Sequence, residues 1–498
     1  AKAKVVISAV GGIVEPRDWT GKVPGLENFK GPVMHSARWK YDVDFNDKDV
    51  VVLGAGSTAS QVVPALIEKP QNARSVTQIM RSPPWVAPKR VPPGGHEGFA
   101  KWSPSVLGSV PWMATLLRYV VFHQMETEFD MMFKTGDPDK VAKNRAVAQT
   151  RYLGFMKRVV PAKYHEILTP RYTLMCKRRV FDAGWFRSLN DDRINLELGE
   201  IADMGESSLT VGLYDPKRTS DNTSYHHNKT LRTETEANGT AAKTNSRNAV
   251  VAKKEVPCDV LVLANGYEMG TWIHPIRVYG RGGASIHDTW ESRGGPQMYL
   301  GTAIDGFPNF FMIFGPNTAS GHSSVIVGAE SSVEHALKFI RKIFVTKEVE
   351  TFEVKEKPCR DYVREIHRLL KMTAFSESGL TGCGSSYIKD GWNSTVYPYV
   401  LRSQTDAKIL PFPVLTKMHR RSQTDFALRC RFPNMNHWNA TYTTKGRIWN
   451  ILRQTVFSGG ISAVAFWFYL ARYGGETWRT GFNTVFKTVL DRVRHVIA

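Results

Sequence analysis

The chain sets short, dense apolar runs against glycine-rich turns and longer stretches of helical spacing. Val5–Val10 is an apolar run ending on Gly11–Gly12, and reads as a buried strand that closes on a glycine turn. Asp49–Leu53 is a β-branched run of strand length, followed at once by Gly54–Ala55–Gly56–Ser57–Thr58–Ala59. Over residues 60–69, Val62, Val63, Leu66 and Ile67 share one side of a helix, with Pro64 in the first turns where a missing N–H is tolerated. Ser75–Met80 is the next strand, ended by Arg81. Strand, glycine turn, helix and strand make one βαβ unit.

From about residue 99 to 160 the spacing turns helical. Leu116, Leu117, Val120, Val121, Phe122, Met125 and Phe129 recur at three- and four-residue steps, with no Pro or Gly between Met113 and Lys134. This predicts a helical insertion. Strand character returns at Ile194–Met204, whereas residues 205–256 are polar, rich in Thr, Asn and Lys, and read as a surface loop. His226 and His227 there have no third ligand at metal spacing, so no metal site is expected. Cys258–Gly266 is a second buried strand on a glycine turn, and Phe307–Phe314 leads into Gly315–Pro316–Asn317. Ser331–Phe344 predicts a helix burying Val333, Ala336, Leu337, Ile340 and Ile343. Strands alternating with helices predict an α/β fold with parallel sheets.

Composition narrows this picture. With 42% apolar residues over 498, the chain builds a core, and its length suits two to four domains of roughly 100–200 residues. Lys+Arg 66 against Asp+Glu 46 leaves +20, which favours anionic partners such as nucleotide phosphates or acidic membrane surfaces. No helix-turn-helix, zinc or RNA-binding signature accompanies that charge, so no nucleic-acid partner is expected. The five cysteines are odd in number and never form CxxC. A disulfide framework, a zinc ribbon and a redox dithiol are therefore not expected, and a reducing, cytoplasmic setting fits best. Residues 454–471 carry no charge, and Phe482, Val485, Phe486, Val489, Leu490, Val493 and Ile497 mark one helical face. That segment, 454–498, reads either as a helix docked on the protein or as a peripheral contact with an anionic membrane.

The chemistry starts at Gly54-x-Gly56-x-x-Ala59. A strand that turns directly into a helix aims free backbone N–H groups at an anion. Glycines at 54 and 56 let a pyrophosphate approach, Ser57 and Thr58 stand at the rim, and Ala59 permits close helix–strand packing. NAD sites place an acid about 20 residues on, to bind the ribose hydroxyls. Here there is no acid between Arg74 and Arg90, and Arg81–Ser82 closes the second strand. A guanidinium and a hydroxyl suit a 2′-phosphate, which points to NADPH; the alternative is a solvated strand-end arginine. Lys177–Arg178–Arg179, taken alone, reads as a solvated cationic patch.

Phe29-x-Gly31-x-x-x-His35-x-x-x-Trp39 precedes the glycine turn by about 15 residues. It resembles the Baeyer–Villiger monooxygenase fingerprint FxGxxxHxxxW, whose last position, Pro or Asp, is Lys40 here. Related flavin-containing N- and S-oxygenating enzymes lack the tryptophan. Cys176–Lys177–Arg178, after Leu168–Tyr172, resembles the family's Lys-Arg segment. The resemblance implies that Lys177 reaches the NADPH phosphate, and that Arg178 faces the flavin and stabilises its peroxide anion. Ala9–Val10–Gly11 and Ala264–Asn265–Gly266 resemble paired Ala-Thr-Gly hinges without the threonine, and Gly315–Thr318 resembles the turn that brings Asn317 back to the flavin. Ser385–Ser386–Tyr387 departs from the family's Ser-Trp-Tyr.

The family's N-terminal FAD-binding βαβ, with its own GxGxxG and a following Asp, has no counterpart, so the chain reads as starting partway through a fold. The resemblance implies two intertwined Rossmann-like nucleotide-binding domains, the first truncated. Residues 1–30 would be a remnant of the FAD domain, 40–180 the NADP domain with its insertion, 181–400 the second part of the FAD domain, and 405–498 a C-terminal extension. The expected activity is an NADPH- and FAD-dependent monooxygenase acting with O2 on a small organic ketone, nitrogen or sulfur compound. His35 and Trp39 are expected to set the linker rather than touch substrate. The alternatives are an inactive NADP-binding remnant, and a pyridine-nucleotide disulfide reductase, against which the missing CxxC counts.

Overall fold

A computed structural model of the chain describes residues 2–217, 250–370 and 422–454, apart from 18, 20–22, 90, 134–137, 173 and 320–323, together with 388–389 and 392–395. In chain order the strands are β1 (Val6–Ser8), β2 (Val33–His35), β3 (Asp49–Leu53), β4 (Ser75–Met80), β5 (Val86–Pro88), β6 (Val180–Asp182), β7 (Ile194–Met204), β8 (Ser208–Tyr214), β9 (Val250–Pro257), β10 (Val260–Leu263), β11 (Phe310–Met312), β12 (Val349–Val354), β13 (Ile388–Lys389), β14 (Trp392–Asn393) and β15 (Trp438–Tyr442). The helices used below are α1 (Ala59–Ile67), α2 (Gly95–Ser109), α3 (Pro111–Phe133), α4 (Pro138–Val159), α5 (Trp185–Ser188), α6 (Ile286–Glu291), α7 (Val325–Phe344), α8 (Glu356–Leu370) and α9 (Ser422–Arg431).

One seven-stranded sheet runs in the order β2-β10-β3-β4-β7-β8-β9. Its first five strands are parallel, and β7, β8 and β9 form an antiparallel meander at one side. All five residues of β3 are buried, as a parallel strand covered on both faces requires. Alternation then divides them: Val50 and Val52 pack with α1 and α5, while Val51 and Leu53 pack with Ile201, Met204 and Leu261. A second core centres on α7, α8 and α9, with β11 and the antiparallel pair β12–β15. In it the indole of Trp438 lies 4.0 Å from the ring of Phe339, centroid to centroid.

Several expectations change here. Residues 205–256 are not a loop at their ends, since β8 and β9 pair across them. Most of β9 is exposed, with Lys253, Lys254 and Glu255 among its residues, so an edge strand reads as polar loop. The sheet also runs across the boundary expected at 180/181, because β7 to β10 hydrogen-bond into it. Residues 422–442, expected to be extension, supply Phe426, Cys430 and Trp438 to the second core. The helix expected at 331 begins at Val325 and buries Ser331, Ser332, His335, Ala336, Phe339 and Ile343, leaving Val333 and Leu337 exposed. Val6 and Ile7 form the expected strand, paired with β11, but are exposed rather than buried. Cys176 is disulfide-bonded, which the cysteine count did not anticipate.

Candidate functional site

The glycine turn is fixed from below. Gly54 donates its N–H to the carbonyl of Ile79, and its φ of +140° lies where side chains are strained. A Cβ there would sit 2.3 Å from the carbonyl oxygen of Ala264. Gln78, fully buried, donates its amide to the Gly54 carbonyl at 2.8 Å and accepts the Trp185 indole N–H at 2.8 Å. Strand β4 and helix α5 thus hold the turn through one buried amide. Above it Gly56, Ser57 and Thr58 are exposed, a Cβ on Gly56 would meet nothing within 4 Å, and Ala59 is buried against the sheet. The rim at the start of α1 is open, as a phosphate cradle requires.

Two cation-bearing segments flank one short strand pair. Arg81–Ser82 leaves β4 and leads into β5, while Lys177–Arg178–Arg179 leads into β6. The strands β5 and β6 pair in parallel, with Val86 opposite Val180, so both segments enter the pair from the same end. Trp85 ties them together. Its indole N–H donates to the Tyr172 carbonyl at 2.9 Å, and its carbonyl accepts the Val180 N–H at 2.9 Å. The Lys177 ammonium lies 4.9 Å over the Tyr172 ring. Arg178 is exposed, and among the described residues no ion pair or hydrogen bond engages it. Arg179 is different: it is buried and paired with Glu128 of α3 and Tyr152 of α4. Only Arg178 behaves as the solvated patch that three consecutive cations suggest, and the role of Arg179 was not legible because its partners lie 51 and 27 residues away.

The Gly266 hinge meets the linker at His35. Gly11 and Gly266 both have left-handed φ, +71° and +86°. Residues 15–17 pair with 266–268: Arg17 N–H donates to the Gly266 carbonyl at 3.0 Å, and Glu268 N–H to that of Glu15 at 2.8 Å. The Gly266 carbonyl also lies 3.0 Å from His35 Nε2, while Ala37 N–H donates to His35 Nδ1 at 3.0 Å. Burial lowers the His35 pKa, with the Gly266 carbonyl pulling the other way. The rest of the fingerprint has packing roles. A Cβ on Gly31 would lie 2.2 Å from the Asp259 carbonyl oxygen, Phe29 packs beneath the sheet, and Trp39 stacks on Phe45 at 5.4 Å.

Asn317 follows β11 with φ +57°, and its amide donates to the Asn393 carbonyl at 2.8 Å, tying its turn to β14. Ser385–Tyr387, His226, His227 and nearly all of 454–498 lie outside the described residues. Among the described residues no helix is long and apolar enough to cross a membrane.

A parallel sheet whose central strand turns through Gly54 into a helix, with a second core beside it, defines an α/β protein of Rossmann type. Comparison with known proteins refines that class. The family description "Flavin-binding monooxygenase-like" matches residues 3–97. The FAD-binding monooxygenase ktnD of Aspergillus niger is 28% identical over 79% of the chain and 57% of its own length. A Baeyer-Villiger monooxygenase of Streptomyces coelicolor is 25% identical over 80% of the chain and 65% of its own length. The chain therefore spans between half and two thirds of these curated relatives. In fold it is similar to cyclohexanone monooxygenase from Rhodococcus sp. Phi1 bound to NADP+, with a TM-score of 0.59 and 18% identity over 89% of the chain and 75% of the other. In sequence the chain is thus similar to flavin-binding and Baeyer-Villiger monooxygenases, and in fold to cyclohexanone monooxygenase.

Proposed function

We propose that the protein is an NADPH- and FAD-dependent monooxygenase that inserts one oxygen atom from O2 into a ketone, or oxygenates a nitrogen or sulfur centre. The observation that carries this reading is the entry of Arg81–Ser82 and Lys177 at one end of the β5–β6 pair, with the open Gly54–Ala59 cradle on the adjoining sheet. A turn that a Cβ at Gly54 would block, an uncrowded Gly56 and two cation-bearing segments fit a phosphorylated dinucleotide. The curated relatives' names, monooxygenase and Baeyer-Villiger monooxygenase, support the reaction class.

In this reading Gly54, Gly56, Ser57 and Thr58 receive the pyrophosphate on backbone N–H groups and hydroxyls, and Ala59 keeps α1 close to the sheet. Arg81, Ser82 and Lys177 hold the 2′-phosphate and so select NADPH over NADH. When bound, FAD supplies the oxygen chemistry that side chains lack. Arg178 offers a fixed positive charge toward the negative charge that develops during oxygen transfer. Asn317 presents its turn to the flavin side, and His35 joins the Gly266 hinge to the linker.

The test is NADPH-dependent oxygen uptake by the purified protein with a cyclic ketone, together with its flavin content. Oxygen consumption coupled to ester or lactone formation supports the proposal. NADPH binding with neither flavin nor oxygen uptake favours the reading as a nucleotide-binding remnant.

A further inference from the structure

Three consecutive cations meet three different fates: Lys177 lies over an aromatic ring, Arg178 is exposed, and Arg179 is withdrawn from water. The Arg179 side chain is 6% exposed and that of its partner Glu128 is 19% exposed. The same Nη1 that pairs with Glu128 lies 2.6 Å from the Tyr152 hydroxyl, and the guanidinium stands 5.3 Å over the Phe181 ring. Glu128 belongs to α3 and Tyr152 to α4, while Arg179 is the residue before β6. One buried guanidinium therefore joins both long helices of the insertion to the segment that carries Lys177 and Arg178.

A buried charge is held in one geometry far more firmly than an exposed one, because leaving its partner means facing a medium that cannot solvate it. Arg145, also buried, ties the same two helices again one turn beyond Glu128, donating Nε to the Met132 carbonyl at 2.7 Å. Helices α3 and α4 are thus tied to each other beside the point where Arg179 meets them. Arg179 is anchored inward while its neighbour Arg178 is exposed. Lys177 is two residues from the anchor, a distance over which the backbone has little slack.

We infer that Arg179 is a positioning residue: through Glu128 and Tyr152 it makes the helical insertion set the place of Lys177, and with it the discrimination between NADPH and NADH. This rests on the reading of Lys177 as a contact to the 2′-phosphate. The insertion then contributes to cofactor selection without touching the cofactor.

Dissociation constants for NADPH and NADH, measured by calorimetry on the full chain, test this in Glu128→Gln, Tyr152→Phe, Arg179→Lys and Lys177→Ala. Glu128→Gln keeps the shape of the side chain and removes its charge, and Tyr152→Phe removes only a hydroxyl, so the fold survives in at least the second. The expected result is NADPH binding weakened about tenfold in Glu128→Gln and by a smaller factor in Tyr152→Phe, with NADH binding unchanged. Arg179→Lys keeps the charge and is expected to retain part of the preference. Equal weakening of both nucleotides, or no change in either variant, overturns the proposal, because a purely structural pair would not distinguish them. Lys177→Ala separates the two levels. If it leaves the NADPH/NADH ratio unchanged, the reading of the phosphate site falls and the positioning role with it. If it lowers the ratio while Glu128→Gln and Tyr152→Phe do not, the positioning role alone falls. Binding of neither nucleotide by the unaltered protein overturns both.

Discussion

His35 donates from Nε2 to the carbonyl oxygen of Gly266, 3.0 Å away, and the tautomer is fixed because Nδ1 is already taken up in accepting the Ala37 N–H. A second proton would have to enter at Nδ1 and displace that N–H. Burial opposes it as well, and the nearby Arg38 charge adds to the opposition. The folded-state pKa is therefore lowered from its ordinary 6.5, and the unfolded chain binds the proton more readily. Stability from this group is fully present above about pH 6.5 and is lost as pH falls below it. Thermal midpoints between pH 8 and 5 are expected to fall more steeply in the unaltered protein than in His35→Gln, which does not titrate. Parallel curves would rule this out.

The two glycines of the cradle separate fold from function. Gly54→Ala places a Cβ 2.3 Å from the Ala264 carbonyl oxygen at φ +140°, and is expected to destabilise by at least about 2 kcal/mol. Gly56→Ala meets open space and is expected to change stability by no more than about 0.5 kcal/mol, while NADPH binding weakens about tenfold or more. Denaturant unfolding and nucleotide titration on both variants check the contrast. Unaltered NADPH binding in Gly56→Ala would remove the cradle from the site.

Arg81→Ala and Lys177→Ala together are expected to relax the preference for NADPH over NADH. Each charge-assisted contact to a phosphate contributes about 1.5–3 kcal/mol, so the ratio should drop about a hundredfold or more. The measurement is kcat/KM with each nucleotide. An unchanged ratio would sink the assignment of both residues to the 2′-phosphate.

Arg178 is exposed and outside any described ion pair, so Arg178→Ala is expected to leave stability within about 0.5 kcal/mol. On the proposed role of Arg178 in oxygen transfer, product formation is expected to be abolished while NADPH binding persists. Retained oxygenation would refute its role.

What could be read in advance was what is local. The run Asp49–Leu53, the glycines at 54 and 56 and the four-residue spacing of α1 all lie within about one βαβ unit, where periodicity and turn chemistry act directly. The face of α7 was misjudged because packing overrode hydropathy. Ser332 and His335 are buried, with His335 Nδ1 2.7 Å from the Thr302 hydroxyl, while Val333 and Leu337 stay outside. Strand β9 was hidden by its charged, exposed residues. The Arg179–Glu128 pair and the Trp185–Gln78 bond join positions that no local pattern connects.

That last bond gives the sharpest test of how the cradle is held. Gln78→Leu preserves the volume in the core but deletes both hydrogen bonds, leaving the Trp185 indole N–H without its acceptor and the Gly54 carbonyl without the amide. Each unsatisfied buried group costs about 1–3 kcal/mol, so the variant should lose about 2–6 kcal/mol. Gln78→Glu should be costly for a different reason: it keeps an acceptor for Trp185 but sets a carboxylate against the Gly54 carbonyl. Once protonated, the introduced carboxyl can donate to that carbonyl, so part of the loss should be recovered as pH falls. Denaturant unfolding of both variants at pH 8 and pH 5 decides the matter. Stability unchanged from the parent in Gln78→Leu would mean that the turn is held by its backbone alone, through the Gly54 N–H to Ile79, and that the buried amide is dispensable.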